Sequence, residues 1–236
     1  MENKIYKDKK MVAEAFSDYF ADLVEDKVQF HVALSGGSTP KLIFDVLATK
    51  YGNQIDWSKI NFYWGDERCV PPTDDQSNFK MTFEHLFSKI NVPKENIHRV
   101  LGENDPQGEA MRYANLLEIN LDRVNSIPQF DLVLLGMGDD GHTASIFPHE
   151  IDLWHSEDHC VVALHPESGQ KRVSINGKVI NQAKEVVFLV TGSGKAEKVE
   201  EIHNQKEDYK KYPASLVIPE SGKLIWFMDE EAAALI

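Results

Sequence analysis

The run Phe130-Asp131-Leu132-Val133-Leu134-Leu135 is almost wholly apolar and stops at Gly136. An apolar run of strand length that ends in glycine reads as a central strand of a parallel sheet, because such strands are covered on both faces. The chain then passes through Gly136-Met137-Gly138-Asp139-Asp140-Gly141-His142, so two carboxylates and an imidazole sit on a glycine-rich turn. Ligands of open α/β sheets bind at the carboxyl ends of the strands. This one stretch therefore bears on both the fold and the place where chemistry is expected.

The same alternation recurs along the chain. Met11, Val12, Ala15, Phe16, Tyr19, Phe20, Leu23 and Val24 are spaced by three and four, which predicts an amphipathic helix over 10–25. Val28, Phe30, Val32 and Leu34 alternate as in a strand, and a helical pattern from Leu42 to Leu47 runs up to Gly52-Asn53. Ile60–Trp64 is the next strand. Ser77 is placed to cap a helix over 78–90 with Phe79, Phe83, Leu86 and Phe87 inward. A short strand is expected at 97–101 and a helix at 107–126, with Met111, Ala114, Leu117, Leu121 and Val124 on one face. Beyond Pro148 the strand candidates are Cys160–Leu164, Val173–Ile175, Val186–Val190 and Leu224–Met228, with a helix at Ala196–His203. Strands alternating with helices favour a parallel-rich α/β fold. With no repeat, linker or low-complexity segment, 236 residues read as a single domain, 1–236, with a small excursion around 145–180.

Charge and cysteine usage narrow the partners. The formal net charge is −13, a poor match for nucleic acid or an anionic membrane. An anionic small molecule would need a local basic pocket. Cys69 and Cys160 have no metal-like spacing and no disulfide framework, as in a reducing compartment. Residues 1–10 are charged with no apolar core after them, and no run is long enough to span a bilayer. A cytoplasmic protein is expected, as a monomer or small homo-oligomer.

Four strand ends carry chemistry-bearing residues. Ser35-Gly36-Gly37-Ser38-Thr39-Pro40 joins a strand to a helix. Its glycines allow close backbone approach, and the helix start supplies N–H groups and a positive dipole end suited to phosphate; a simple capped turn is the alternative. Gly65-Asp66-Glu67-Arg68 reads either as a solvated turn or as an acid–base cluster. Gly136-x-Gly138-x-x-Gly141 matches the dinucleotide fingerprint, but Asp139 and Asp140 would face the pyrophosphate, and Pro148 leaves little room for the helix. An Asp-Gly-His turn suits proton transfer better, since a carboxylate fixes the imidazole tautomer. Val190-Thr191-Gly192-Ser193-Gly194-Lys195-Ala196 is no Walker A loop, because Ala196 stands where the magnesium-binding hydroxyl belongs. Lys195 at a helix start opposes the helix dipole, which suggests pairing with an anion. One basic side (Ser35 to Thr39, Arg172, Lys195) and one acid/imidazole side (Asp66, Asp140, His142) suit a small phosphorylated substrate.

These motifs, with Trp64-Gly65-Asp66-Glu67-Arg68, Asp75, Ser77-Asn78, Gly136–Ser145, Phe147-Pro148 and Gly194-Lys195-Ala196, occur together in one order. In that order and spacing the chain resembles the 6-phosphogluconolactonases of the glucosamine-6-phosphate isomerase/deaminase family, from about residue 10 to the end. The resemblance implies a Rossmann-like open, mostly parallel sheet with helices on both faces. It implies hydrolysis of 6-phospho-D-glucono-1,5-lactone to 6-phosphogluconate in the oxidative pentose phosphate pathway, with no cofactor and no required metal. By the family's pattern His142 is the general base and Asp140 orients or assists it; Asp66, from the acid side of the site, is expected in the same catalytic set. Arg68 stabilises charge near the lactone, and Ser35, Gly36, Gly37, Ser38, Arg172 and Lys195 hold the phosphate. The related deaminases share the Asp-Gly-His core but carry glutamate five positions after the histidine, where this chain has Phe147. A deaminase-like sugar-phosphate enzyme and a non-catalytic sugar-phosphate sensor are the alternatives.

Overall fold

A computed structural model describes residues 1–206 and 208–236. Among the described residues, six strands form one sheet in the order β1 (Glu2–Tyr6), β11 (Leu224–Asp229), β10 (Val186–Val190), β7 (Leu132–Leu135), β2 (Phe30–Leu34), β3 (Ile60–Trp64). Every neighbouring pair is parallel. All residues of β3, β7 and β10 are buried. Successive strand residues point to opposite faces, so both faces of the sheet centre are covered. The fold is the expected α/β architecture with an open, mostly parallel, Rossmann-like sheet.

The helices bury their apolar stripes around this sheet. In α1 (Lys9–Val24), Val12, Ala13, Phe16, Phe20 and Val24 are buried, and Asp8 caps the helix by accepting from the Met11 N–H at 2.9 Å. α1 packs on β11 and on α2 (Ser38–Tyr51). Ser77 caps α3 (Asn78–His85), as anticipated, by accepting from the Lys80 N–H. Asp105 caps α4 (Pro106–Asn120), with Pro106 in the first turn, where its missing N–H costs nothing. α5 (Gly177–Gln182) and α6 (Ala196–His203) flank β10 in sequence.

A smaller antiparallel sheet has the order β4 (Asp66–Arg68), β9 (Lys171–Ile175), β8 (Cys160–Leu164). The segment 145–180 contributes β8, β9 and a 3-10 stretch at Pro148–His155. β5 (Arg123–Val124) and β6 (Ile127–Pro128) make a two-residue ribbon.

Several local expectations change. β1 is absent from the sequence reading: its Glu2-Asn3-Lys4-Ile5-Tyr6 is polar, and it becomes a strand by pairing along the edge of β11. The helix expected to reach residue 126 ends at Asn120, where Leu121 turns extended at φ −104° and ψ 149°; Asn125 and Ser126, at positive φ, then make the turn of the β5–β6 ribbon. Val124 is therefore off the helix, and Met111 and Phe83, expected inward, are 65% and 49% exposed. α3 stops at His85 and gives way to a 3-10 turn at Phe87–Lys89. The short strand expected at 97–101 is one bridge, Ile97 to Phe62. Asp66–Arg68, which alone resembles a turn, becomes a strand because β9 pairs with it.

Leu134 lies mid-sheet in β7 and is 2% exposed. Leu134→Ala is expected to lower unfolding free energy by about 2–5 kcal/mol, as buried leucine truncations do. Urea unfolding followed by circular dichroism measures the loss; a change under ~1 kcal/mol would mean β7 is not the packed centre.

Candidate active site

β2 and β7 lie side by side, but the chain leaves them in opposite directions, β2 toward β3 and β7 toward β10. Two loops diverging from neighbouring strand ends open a crevice between them. Ser35, Gly36 and Gly37 follow β2, and Gly136 to His142 follow β7.

The first loop leaves a helix start exposed to a ligand. Gly37 has φ +105°, a conformation that favours glycine, and among the described residues no side chain caps α2. The hydroxyl of Ser38, a natural capping residue, instead accepts from Lys9 Nζ at 2.8 Å. The leading N–H groups of α2 therefore remain suited to an anion. Thr39 Oγ1 meets Thr191 Oγ1 at 2.7 Å, fastening this turn to the loop after β10.

The second loop folds back on itself. The Gly138 N–H donates to the His142 carbonyl at 2.9 Å, the Gly141 N–H to the Gly138 carbonyl at 3.0 Å, and Thr143 Oγ1 to the Gly136 carbonyl at 2.8 Å. His142 is thus laid over Gly138. A Cβ at position 138 would fall 2.1 Å from His142 Nδ1 and 2.6 Å from Asp140 Oδ1, so only glycine fits. His142 Nδ1 lies 2.6 Å from Asp140 Oδ1, which also accepts the His142 backbone N–H at 3.0 Å. Burial would raise the Asp140 pKa, but the hydrogen bonds and charge of His142 outweigh it and bring it to about 2. An ionised carboxylate only accepts, so in the neutral imidazole Nδ1 carries the proton and Nε2 the lone pair.

β4 and β9 supply the third wall. Arg68 and Arg172 are directly opposite in the antiparallel register, an arrangement that like charges disfavour. Arg68 donates through Nη1 to the Gln76 carbonyl at 2.7 Å, yet among the described residues neither arginine Nε has a partner. Burial, and then the charge of Arg68, push the Arg172 pKa down. An anion between them would relieve both strains. The Arg172 guanidinium lies 5.5 Å from the Phe147 ring centre, and Phe147 packs on His142 with ring centres 4.6 Å apart.

Buried carboxylates fix these walls. Asp66 accepts from Ser145 Oγ at 2.6 Å, and the Ser145 N–H donates to Ser174 Oγ of β9 at 3.1 Å. Glu67 accepts N–H groups of Arg68, Asn78 and Phe79 at 2.8 Å each, plus the Ser77 hydroxyl at 3.1 Å. Burial still raises the Glu67 pKa against those donors. Glu67 therefore anchors the start of α3, from which Asn78 enters the site.

The cleft brings together Ser35, Gly36, Gly37, Asp66, Arg68, His142 and Arg172 from the sequence-derived set. Asp140 stands behind His142 with its side chain 42% exposed. Ser38 faces an adjoining recess with Lys41 and Arg68. Lys195 is not on the cleft wall; its Nζ is 2.5 Å from Asp139 Oδ1. Asn78 also lines the cleft, and in the sequence only the family motif points to it. Its Nδ2 donates to the Asp66 carbonyl at 2.9 Å, and its Oδ1 would lie 1.9 Å from a Cβ at Gly36. Its position just after the Ser77 cap was the available signal. Among the described residues no group of three or more His, Cys, Asp or Glu side chains could hold a metal ion.

A family model described as glucosamine-6-phosphate isomerases/6-phosphogluconolactonase matches residues 7–226. The chain belongs to this family. It is 45% identical over 207 residues to a 6-phosphogluconolactonase of Aggregatibacter actinomycetemcomitans, covering 87% of each chain. A solved structure of a devB protein superposes with a TM-score of 0.96 at 46% identity, covering 100% of this chain and 99% of that one. The 6-phosphogluconolactonase of Thermotoga maritima gives 0.83 at 29% identity, covering 97% and 99%. The family's shared sheet thus carries the His142–Asp140 turn at its switch point.

The coupling of that pair is measurable. By NMR titration Asp140 is expected to titrate at about 2, and in His142→Ala to move up toward its ordinary value of 3.8. Because the folded pKa is depressed, the pair's stabilisation is full above pH 3.8 and is lost as pH falls toward 2. An Asp140 titration unmoved by His142→Ala would show the two side chains to be uncoupled.

Proposed function

We propose that the chain hydrolyses 6-phospho-D-glucono-1,5-lactone to 6-phosphogluconate, in the oxidative pentose phosphate pathway of the cytoplasm, by general-base activation of water. The observation that carries the mechanism is the 2.6 Å bond between Asp140 and His142 Nδ1, which leaves Nε2 as a base in a cleft shared with two arginines. The relatives' names supply the substrate class.

The phosphate docks on the Ser35–Ser38 turn at the start of α2, with Arg172 and Lys195 balancing its charge. The lactone carbonyl lies near His142. Water attacks C1 as Nε2 takes its proton, and the carbonyl oxygen becomes an oxyanion. Arg68 stabilises that charge, a contribution that is large when the donor is already in place. The C1–ring oxygen bond then breaks, and the imidazolium returns its proton to the leaving ring oxygen. Asp140 stays ionised and holds the ring throughout. Asp66, tied to Ser145, positions the wall that carries Arg68.

Phe147 disfavours deamination. The position where the deaminases are expected to carry glutamate is a fully buried phenyl ring packed on His142, with no proton to give.

Acid release from freshly prepared lactone, corrected for spontaneous hydrolysis, tests the activity. His142→Ala is expected to lower kcat by about 10²–10⁴-fold, the usual worth of a general base, with product affinity nearly unchanged. Near wild-type turnover would remove His142 from the mechanism, and ammonia release from glucosamine-6-phosphate would favour the deaminase.

A further inference from the structure

We propose that Asp139 is a built-in rival of the substrate phosphate for Lys195, a role that rests on Lys195 being a phosphate ligand. Asp139 precedes the catalytic pair in the loop after β7. Its carboxylate accepts from Lys195 Nζ at 2.5 Å. The Asp139 side chain is otherwise 80% exposed, whereas that of Lys195 is 23% exposed.

Lys195 closes the 3-10 turn Ser193–Lys195 and opens α6. A cation at a helix start is opposed by the dipole, so this ammonium gains from a nearby anion. Two anions compete for that place. Asp139 is fixed to the neighbouring strand end, and its loop meets the 193–195 turn at Gly194, where a Cβ would lie 3.8 Å from Asp139 Oδ1. The substrate phosphate is the second. It docks on the α2 turn, which the Thr39–Thr191 bond fastens to the same loop after β10.

The two rivals differ in charge. A phosphomonoester carries nearly two negative charges near neutrality and three acceptor oxygens, against one charge on the carboxylate. Asp139 therefore yields Lys195 to a phosphate dianion more readily than to a singly charged ligand. The cost is weaker phosphate binding. Exposed ion pairs contribute little, so the rival should weaken affinity by about twofold to fivefold.

Titration calorimetry with inorganic phosphate, at a pH where it is a dianion, tests this on the full chain. The proteins compared are wild type, Asp139→Asn, Lys195→Ala and the double variant, each checked by circular dichroism. Asp139→Asn is expected to tighten Kd by about twofold to fivefold, and Lys195→Ala to weaken it. The gain from Asp139→Asn should shrink in the Lys195→Ala background, which is the signature of coupling. An unchanged or weaker Kd in Asp139→Asn overturns the proposal, as does an equal gain in both backgrounds. An unchanged Kd in Lys195→Ala would instead remove Lys195 from the phosphate site, and the rivalry with it. Lactone turnover is not needed for any of these readings.

Discussion

The pairing of β2 with β7 is the constraint on which the rest depends. Val32 and Ala33 lie opposite Leu132 and Val133, deep in a sheet covered on both faces. Neither strand can shift register without pulling its side chains out of the close packing they make on both faces and leaving buried backbone groups unpaired. Their ends are consequently fixed side by side. The two loops that leave them, one holding a bare helix start and the other the imidazole–carboxylate pair, meet because the strands do.

The second sheet adds what the first cannot. A purely parallel sheet offers loops at its carboxyl edge but no rigid wall facing them. β4 leaves the end of β3 after one residue and is caught by β9, so Arg68 and Arg172 stand on paired strands. Their mutual repulsion would separate them on loops. Here the ladder, the Ser145–Asp66 bond and the Glu67 donors hold them in place. Charge that is costly at rest becomes a preformed anion site. Phe147 joins the two halves of the cleft by packing on His142 and lying under Arg172.

The central strands were legible because they are buried on both faces: Leu132–Leu135 and Val186–Val190 are apolar without interruption, and Ile60–Trp64 is broken only by Asn61. Elements at the periphery were not. Glu2–Tyr6 has no apolar pattern and is a strand only because β11 offers an unpaired edge. Asp66–Arg68 needed β9, about a hundred residues later, to become a strand. The site followed the same division. The Asp-Gly-His turn and the Ser35–Ser38 turn could be read locally, since glycine spacing and helix-start chemistry are local properties. Asn78 could not, because its place over Gly36 arises from Glu67 anchoring α3.

By itself the sequence determined the α/β class, the four strand ends that bear chemistry, and the Asp-Gly-His turn as the acid–base end of the site. These follow from patterns within a few residues, namely burial periodicity, helix starts and the reach of one side chain to the next. Only the tertiary structure decided which of those ends share a cleft. It set Arg172 opposite Arg68, turned Phe147 inward against His142, and gave Lys195 to Asp139 instead of the cleft wall. Contacts between residues far apart in sequence depend on which strands are neighbours and in what register, and that order arises only when the whole core packs.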